Sequence, residues 1–142
     1  MAYCIIDDIR ALNPHRVYGA DTKPTATQVA GFIDHISAQL DVILRGRGLA
    51  VPVTQPTDLL AYLKFVCALG AASLAEEAMF PTAGDAAKSA HTTRLQERYQ
   101  AELEQLRKAN LSTLRISPFS YGSEYPTEYD EGLPKFKHDK VF

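Results

Sequence analysis

Cysteine is scarce in this 142-residue chain. Cys4 and Cys67 are isolated from one another and from any metal-ligand spacing, so they are expected as free thiols, which fit a reducing cytoplasm. Histidine is equally thin: His15, His35, His91 and His138 are scattered, with no HxxxH or HExxH arrangement for a metal. Neither sign of charge dominates. Fifteen Lys and Arg face 17 Asp and Glu, a net charge of −2, which excludes a generic nucleic-acid binder relying on phosphate neutralisation. The N-terminus lacks the charged, apolar and small-residue succession of a signal peptide. The longest apolar run, Phe65 to Ala75, is interrupted by small residues and is too short to span a bilayer. Strand patterns of useful length and solenoid repeats are missing as well. What remains is the expectation of a soluble, intracellularly made protein with one modest core, its hydrophobic fraction of 46% being normal for a globular chain.

Helical signals are what the chain has in quantity. CIIDDIRALNP reads as a short helix with Asp7 as N-cap, Ile9 and Leu12 on one face, and Pro14 as the stop. After the loop HRVYGADTKP, Thr25 and Gln28 have capping-box spacing. Val29, Phe32, Ile33, Ile36, Leu40, Ile43 and Leu44 then fall at offsets 0, 3, 4, 7, 11, 14 and 15, one apolar stripe of a helix over residues 26–46. Arg45 and Arg47 suit the negative end of that helix, and Gly46 or Gly48 can supply a left-handed terminating residue. LAVPVTQP is extended by composition. Thr57 is expected to cap a second long helix that continues to Phe80 and stops at Pro81, with a stripe of Leu59, Leu63, Val66, Gly70 and Leu74. Its thin middle, Ala68, Gly70, Ala71, Ala72 and Ser73, would let a neighbouring helix come close. AGDAAKSAH leads weakly into a third long helix carrying Leu95, Tyr99, Leu103 and Leu106, with Asn110 as terminator. The fold class expected is all-α: a small bundle of three long helices plus a short N-terminal one, followed by an extended C-terminal arm.

Catalysis needs convergent reactive groups, and few offer themselves. His35 lies beside one apolar stripe and His91 extends another, so both read as boundary histidines. In the adjacent pairs Asp7–Asp8 and Glu76–Glu77, neighbours on a helix diverge by about 100°, so neither pair aims two carboxylates at one atom. Capping explains the first pair and solvation the second. Cys67, among small apolar residues, reads as a buried inert thiol. GRG at 46–48 follows a helix and lacks the GxxxxGK[ST] frame, which favours a C-cap over a phosphate site. Arg94, Arg98, Arg107 and Lys108 interleave with Glu97, Glu102 and Glu104, giving a mixed solvated face rather than a DNA-reading one. No catalytic residue, metal ligand or cofactor is expected, and the chain is not expected to be an enzyme.

The end of the chain is different. ISPFSYGSEYPTEYDEGLPKFKHDKVF, residues 116–142, holds six of the thirteen aromatic residues: Phe119, Tyr121, Tyr125, Tyr129, Phe136 and Phe142. Pro118, Pro126 and Pro134 exclude a continuing helix. Glu124, Glu128, Asp130 and Glu131 precede Lys135, Lys137, His138 and Lys140, an acidic half followed by a basic one. Disordered tails are usually poor in rings. This one reads as a ligand strand that docks along another chain's groove, its rings acting as anchors and its prolines reducing the entropy lost on ordering. Lys135 and Lys137 join the six rings as candidate partner-binding residues. Fully extended, 27 residues reach roughly 90 Å, beyond what the helical body needs for its own closure.

The order of the parts resembles a known family. A DIRALNP-like opening, then TATQVAGFIDHISAQLDVILRGRGLAVPV, the alanine-rich KFVCALGAASLAEEA and the late ERYQAELEQLRKANL together look like the head–tail connector (adaptor, or head-completion) proteins of tailed bacteriophages, over about residues 3–114. The most specific stretch is FIDHISAQLDVILRGRGLAVPV, a helix with internal acids that ends in a glycine turn and a VPV strandlet. The resemblance implies a helical connector domain, residues 1–114, and an extended C-terminal arm, residues 115–142. It further implies a structural virion protein of the phage neck, made in the host cytoplasm, whose subunits form a dodecameric ring below the portal. Such a ring extends the channel through which double-stranded DNA passes without sequence-specific binding. Its implied partners are the portal protein, gripped by the arm, a tail-side stopper or tail-terminator protein, and further copies of itself, with no membrane. Two other readings compete: a cytoplasmic helical interaction or regulatory module that binds a partner through the same tail, and a small enzyme using His91 or the Glu76–Glu77 pair.

Overall fold

Helix α2, Ala26–Gly46, begins and ends where its local chemistry dictates. The Thr25 hydroxyl accepts the Gln28 N–H at 3.2 Å, and the Gln28 side chain accepts the Thr25 N–H at 2.9 Å. These reciprocal bonds satisfy donors that the first turn leaves without helical partners. At the other end Gly48 takes a positive φ of 80°, and the Leu49 N–H returns to the Leu44 carbonyl. Along its length Val29, Ile33, Ile36, Leu40 and Leu44 are buried, whereas Phe32 and Ile43 flank the stripe half-buried.

The computed structural model describes residues 1–79 and 90–111. Within them the chain is all-α: α1 (Ile6–Leu12), α2, α3 (Thr57–Ala78) and α4 (Ala90–Lys108), with no strand among the described residues. Phe80, Pro81, His138 and the whole segment 116–142 lie outside the described residues. Two caps differ from expectation. Helix α1 starts two residues earlier than an Asp7 cap allows, because the Asp8 carboxylate reaches back to accept the Ile5 N–H at 2.9 Å, leaving Ile5 at the N-cap. In α3 the N-cap is Pro56, extended at φ −74° and ψ 163°, so Thr57 is already helical, and Asp58 supplies the negative charge in the first turn.

Helix α3 is the axis of the bundle, packing against α1, α2 and α4. A helix with neighbours on three sides has no solvent face in its middle, so the single stripe expected from its spacing widens into a sleeve. Val66 through Ser73 are all buried without interruption, and Leu59 and Leu74, the outer members of the expected stripe, are only half-buried. By length and composition α3 is apolar enough to cross a membrane, yet 61% of its most apolar window is buried inside the bundle by its neighbours. Neighbouring side chains press close on the backbone at Gly70. A Cβ there would lie 2.7 Å and 2.9 Å from the Tyr99 ring and 3.1 Å from the Ile36 side chain. The Tyr99 ring is held in place, since its hydroxyl donates to Gln39 Oε1 at 2.8 Å. Leu95, Tyr99, Leu103 and Leu106 of α4 all turn inward, as their spacing predicts.

Two long-range polar contacts lock the bundle's ends. Arg47, expected to favour the C-terminus of its own helix, crosses instead to the end of α4, where its guanidinium donates to the carbonyls of Arg107 and Ala109. Those carbonyls lack helical donors, and a cation is favoured at that end of the dipole. At the N-terminus, the Tyr3 N–H donates to Ser37 Oγ at 3.1 Å, the Tyr3 hydroxyl donates to Asp41 Oδ1, and the Val53 N–H donates to the Tyr3 oxygen at 3.0 Å. One residue thereby ties both the chain's start and the extended segment before α3 to the side of α2.

Candidate functional site

The arm residues singled out from sequence, Phe119, Tyr121, Tyr125, Tyr129, Phe136, Phe142, Lys135 and Lys137, lie outside the described residues. Within the described residues, reactive side chains converge at two places that their spacing in the sequence concealed.

The first is a polar cluster where the loop after α1 meets α3 and α4. Glu76 is not solvated: it is 1% exposed, whereas its neighbour Glu77 faces outward. Burying a carboxylate is tolerated only when it is paired. Arg16 supplies the pair as a fork, Nε to Oε1 at 2.9 Å and Nη2 to Oε2 at 3.1 Å. This bond to Glu76 is also the main reason that the Arg16 pKa is raised above its ordinary value. His15 adds a contact from Nε2 to Glu76 Oε1 at 3.7 Å. Its ring meets that of His91 edge-on, centroids 5.6 Å apart. The two histidines, scattered in sequence, are neighbours in the fold. His91 Nε2 in turn lies 2.8 Å from the Asn13 Oδ1, the nitrogen donating when it carries the proton.

Asn13 is the hub. Fully buried, it closes α1 by donating its N–H to the Ile9 carbonyl, accepts the Arg16 N–H on its own carbonyl, and donates through Nδ2 to the Tyr18 hydroxyl at 3.2 Å. Burial, partly offset by that Asn13 bond, raises the Tyr18 pKa. Arg10 reaches the Tyr18 carbonyl from α1 and pairs with Asp7 at 2.7 Å. Every carboxylate oxygen of Glu76 is engaged by Arg16, and the His91 nitrogen facing the cluster is engaged by Asn13. This is the geometry of a latch that holds loop 13–18 against the bundle.

The second place is the contact between the two cysteines. Far from being isolated, Cys4 and Cys67 lie with their sulfurs 3.1 Å apart, both buried and both free thiols. The Ser37 hydroxyl stands 3.4 Å from the Cys67 sulfur. The hydrogen bond from Cys4 is the largest influence lowering the Cys67 pKa, and donating it is the largest influence raising that of Cys4. Cys4 also lines an apolar groove of about 400 Å³ between the start of α1 and α2, bounded by Ile5, Ile6, Ala30 and Ile33 with Asp7 and Asp34.

Elsewhere the described surface is of mixed charge, with a second cavity of about 340 Å³ lined by His35, Gln39, Glu77, Gln96 and Tyr99 among others. On α4, Arg94, Glu97, Arg98, Glu104, Arg107 and Lys108 are exposed, with Glu104 pairing to Arg107 at 2.8 Å and to Lys108 at 3.7 Å. Among the described residues no three of His, Cys, Asp and Glu converge on a point that could hold a metal ion. For the Glu76 latch the sequence offers a carboxylate at the edge of the apolar stretch ALGAASLA, which does not point to its arginine partner. The cysteine contact has no such local signal. Comparison of the chain with protein-family models, with curated proteins and with solved structures returns no match.

Proposed function

We propose that the protein is a structural adaptor of the phage neck, one subunit of a ring that joins the portal to the tail-side stopper and continues the DNA channel. In this reading the segment 116–142 docks on the portal through its rings and lysines, and the helical body supplies the ring. The observation that carries it is the division of the chain. The helical body assembles a core from residues between Tyr3 and Leu111, drawn from all four helices and the segments joining them, while the aromatic-rich end follows it in sequence. In this reading the rings of that end serve as anchors on a partner.

The outer face of α2 adds support for lateral contacts. Gly31 sits inside that helix, exposed, and a Cβ there would meet nothing within 4 Å among the described residues. A glycine in a helix interior costs about 0.5–1 kcal/mol relative to alanine, so one with open space is not explained by the subunit's own packing. Close approach of a neighbouring copy would explain it, and Val42 on the same helix is 67% exposed. Ring subunits need two such unlike faces, since head-to-tail contacts close when the rotation per copy closes.

The test is deletion of residues 116–142. Portal binding, measured by co-sedimentation with purified portal, should disappear while the far-ultraviolet circular dichroism stays helical. Binding that persists in the truncated chain would refute the arm's role. A full-length chain that stays a compact monomer and ignores portal, seen by electron microscopy and native mass spectrometry, would refute the adaptor reading itself.

A further inference from the structure

We propose that Cys4 and Cys67 form a peroxide-reactive dithiol site, converted by oxidation to an intramolecular disulfide that staples the N-terminal segment to α3. The geometry is already assembled. The two sulfurs touch at 3.1 Å although the residues stand 63 positions apart. Cys4 is held there from both sides, by the Tyr3 N–H bond to Ser37 before it and by the Ile5 N–H bond to Asp8 after it. Cys67 is fixed on the buried middle of α3, its sulfur also near the Ile33 carbonyl at 3.9 Å. The sulfurs have only about 1 Å left to close to reach bonding distance.

Access defines the reagent. Cys67 is fully buried, but Cys4 lines the groove beside α1, and a reagent reaches the pair from that side. The groove is apolar and open to solvent, with Asp34 among its lining and Asp7 engaged by Arg10. Cys4 at its floor is only 3% exposed, which admits a small oxidant such as hydrogen peroxide and opposes a bulky disulfide such as oxidised glutathione.

The chemistry balances in two steps. The Cys4 proton passes along the contact to the Cys67 sulfur, and the Cys4 sulfur so freed donates an electron pair to one peroxide oxygen. The O–O bond breaks, and the other oxygen leaves as hydroxide and takes a solvent proton to become water, giving Cys4 sulfenic acid. The Cys67 sulfur then attacks the Cys4 sulfur, and the S–O bond breaks. The departing hydroxide takes the proton that Cys67 gives up, forming a second water. Each sulfur loses one electron and the peroxide gains two. The Ser37 hydroxyl 3.4 Å away, which favours the Cys67 thiolate, suits Cys67 to this second, displacing role.

The experiment uses the full chain, purified under dithiothreitol, exposed to hydrogen peroxide, unfolded, alkylated with iodoacetamide and weighed. The expected product has lost two hydrogens, takes no alkyl group, yields a peptide pair joining Cys4 to Cys67, and returns to two alkylated thiols after reduction. Formation should be on the order of tenfold faster in the folded chain than in urea, because the fold has already closed the intervening loop. The oxidised protein should melt several degrees higher than the reduced one. Two alkylated thiols after peroxide, a disulfide between chains, a sulfinic acid product, or equal rates folded and unfolded would each overturn the proposal. These readouts use the unaltered protein. They are independent of portal binding and stand or fall separately from the adaptor reading.

Discussion

Two stretches of the same helix hold their neighbours by opposite physics. Around Gly70, α3 is bare, and the Tyr99 ring and the Ile36 side chain press directly on its backbone. Six residues on, about 9 Å along the axis, Glu76 holds loop 13–18 through a buried carboxylate and the Arg16 fork. The first contact is non-directional and depends on the absence of atoms. The second is directional and depends on charge being matched, so its failure leaves an uncompensated group rather than a small overlap. The comparison predicts that helical packing in this protein tolerates small errors of volume at its centre better than errors of charge at its latch.

Removing the charge should therefore have the larger effect. Glu76→Ala leaves Arg16, only partly exposed, without its partner, and should cost about 3 kcal/mol in urea unfolding; a loss below that expected of a surface substitution would show that the latch contributes little. Gly70→Ala should be milder, about 1–2 kcal/mol, because overlap with a pinned Tyr99 is partly offset by alanine's better helix propensity. A gain in stability there would mean that Tyr99 moves aside at no cost, against the hydrogen bond to Gln39 that holds it.

A third effect should appear only in alkali. Burial first, then the bond to Asp41, pushes the Tyr3 phenol up to about 12. Burial does the same for Tyr99, and burial together with Glu102 for Tyr62, each also to about 12. In the unfolded chain these phenols ionise near pH 10. Their contribution is complete below pH 10, where both states hold the proton, and is lost as pH rises toward 12, because the unfolded state then holds fewer protons. Urea midpoints measured from pH 8 to 12 should fall above pH 10. Tyr99→Phe should flatten that fall, and an unchanged slope would separate the close-packed centre from the titration.

The helices were legible in the sequence because their signals are local. Thr25 and Gln28 cap α2 through residues three apart, and the spacings of Val29 to Leu44 and of Leu95 to Leu106 place each stripe on one face. Gly70 was legible as a thin place, although not as the seat of Tyr99. The latch and the dithiol were not legible, since each joins residues about sixty positions apart: Arg16 with Glu76, and Cys4 with Cys67. Periodicity marks which face of a helix is apolar and is silent on which distant side chain meets it. Reading Glu76 as solvated and the cysteines as isolated were errors of that kind.

By itself the sequence determined that the described body is all-α, about where its long helices lie, which faces of α2 and α4 turn inward, and that an aromatic, proline-punctuated segment follows in the chain. Backbone hydrogen bonding and side-chain periodicity operate within a few residues, so the order of residues suffices for those conclusions. The tertiary structure alone decided that α3 is the axis, that Arg47 caps a helix other than its own, and that a buried carboxylate and a buried dithiol each bind two remote parts of the chain together. Those outcomes depend on which surfaces meet when three long helices pack, and burial then sets the energy of every polar group caught between them.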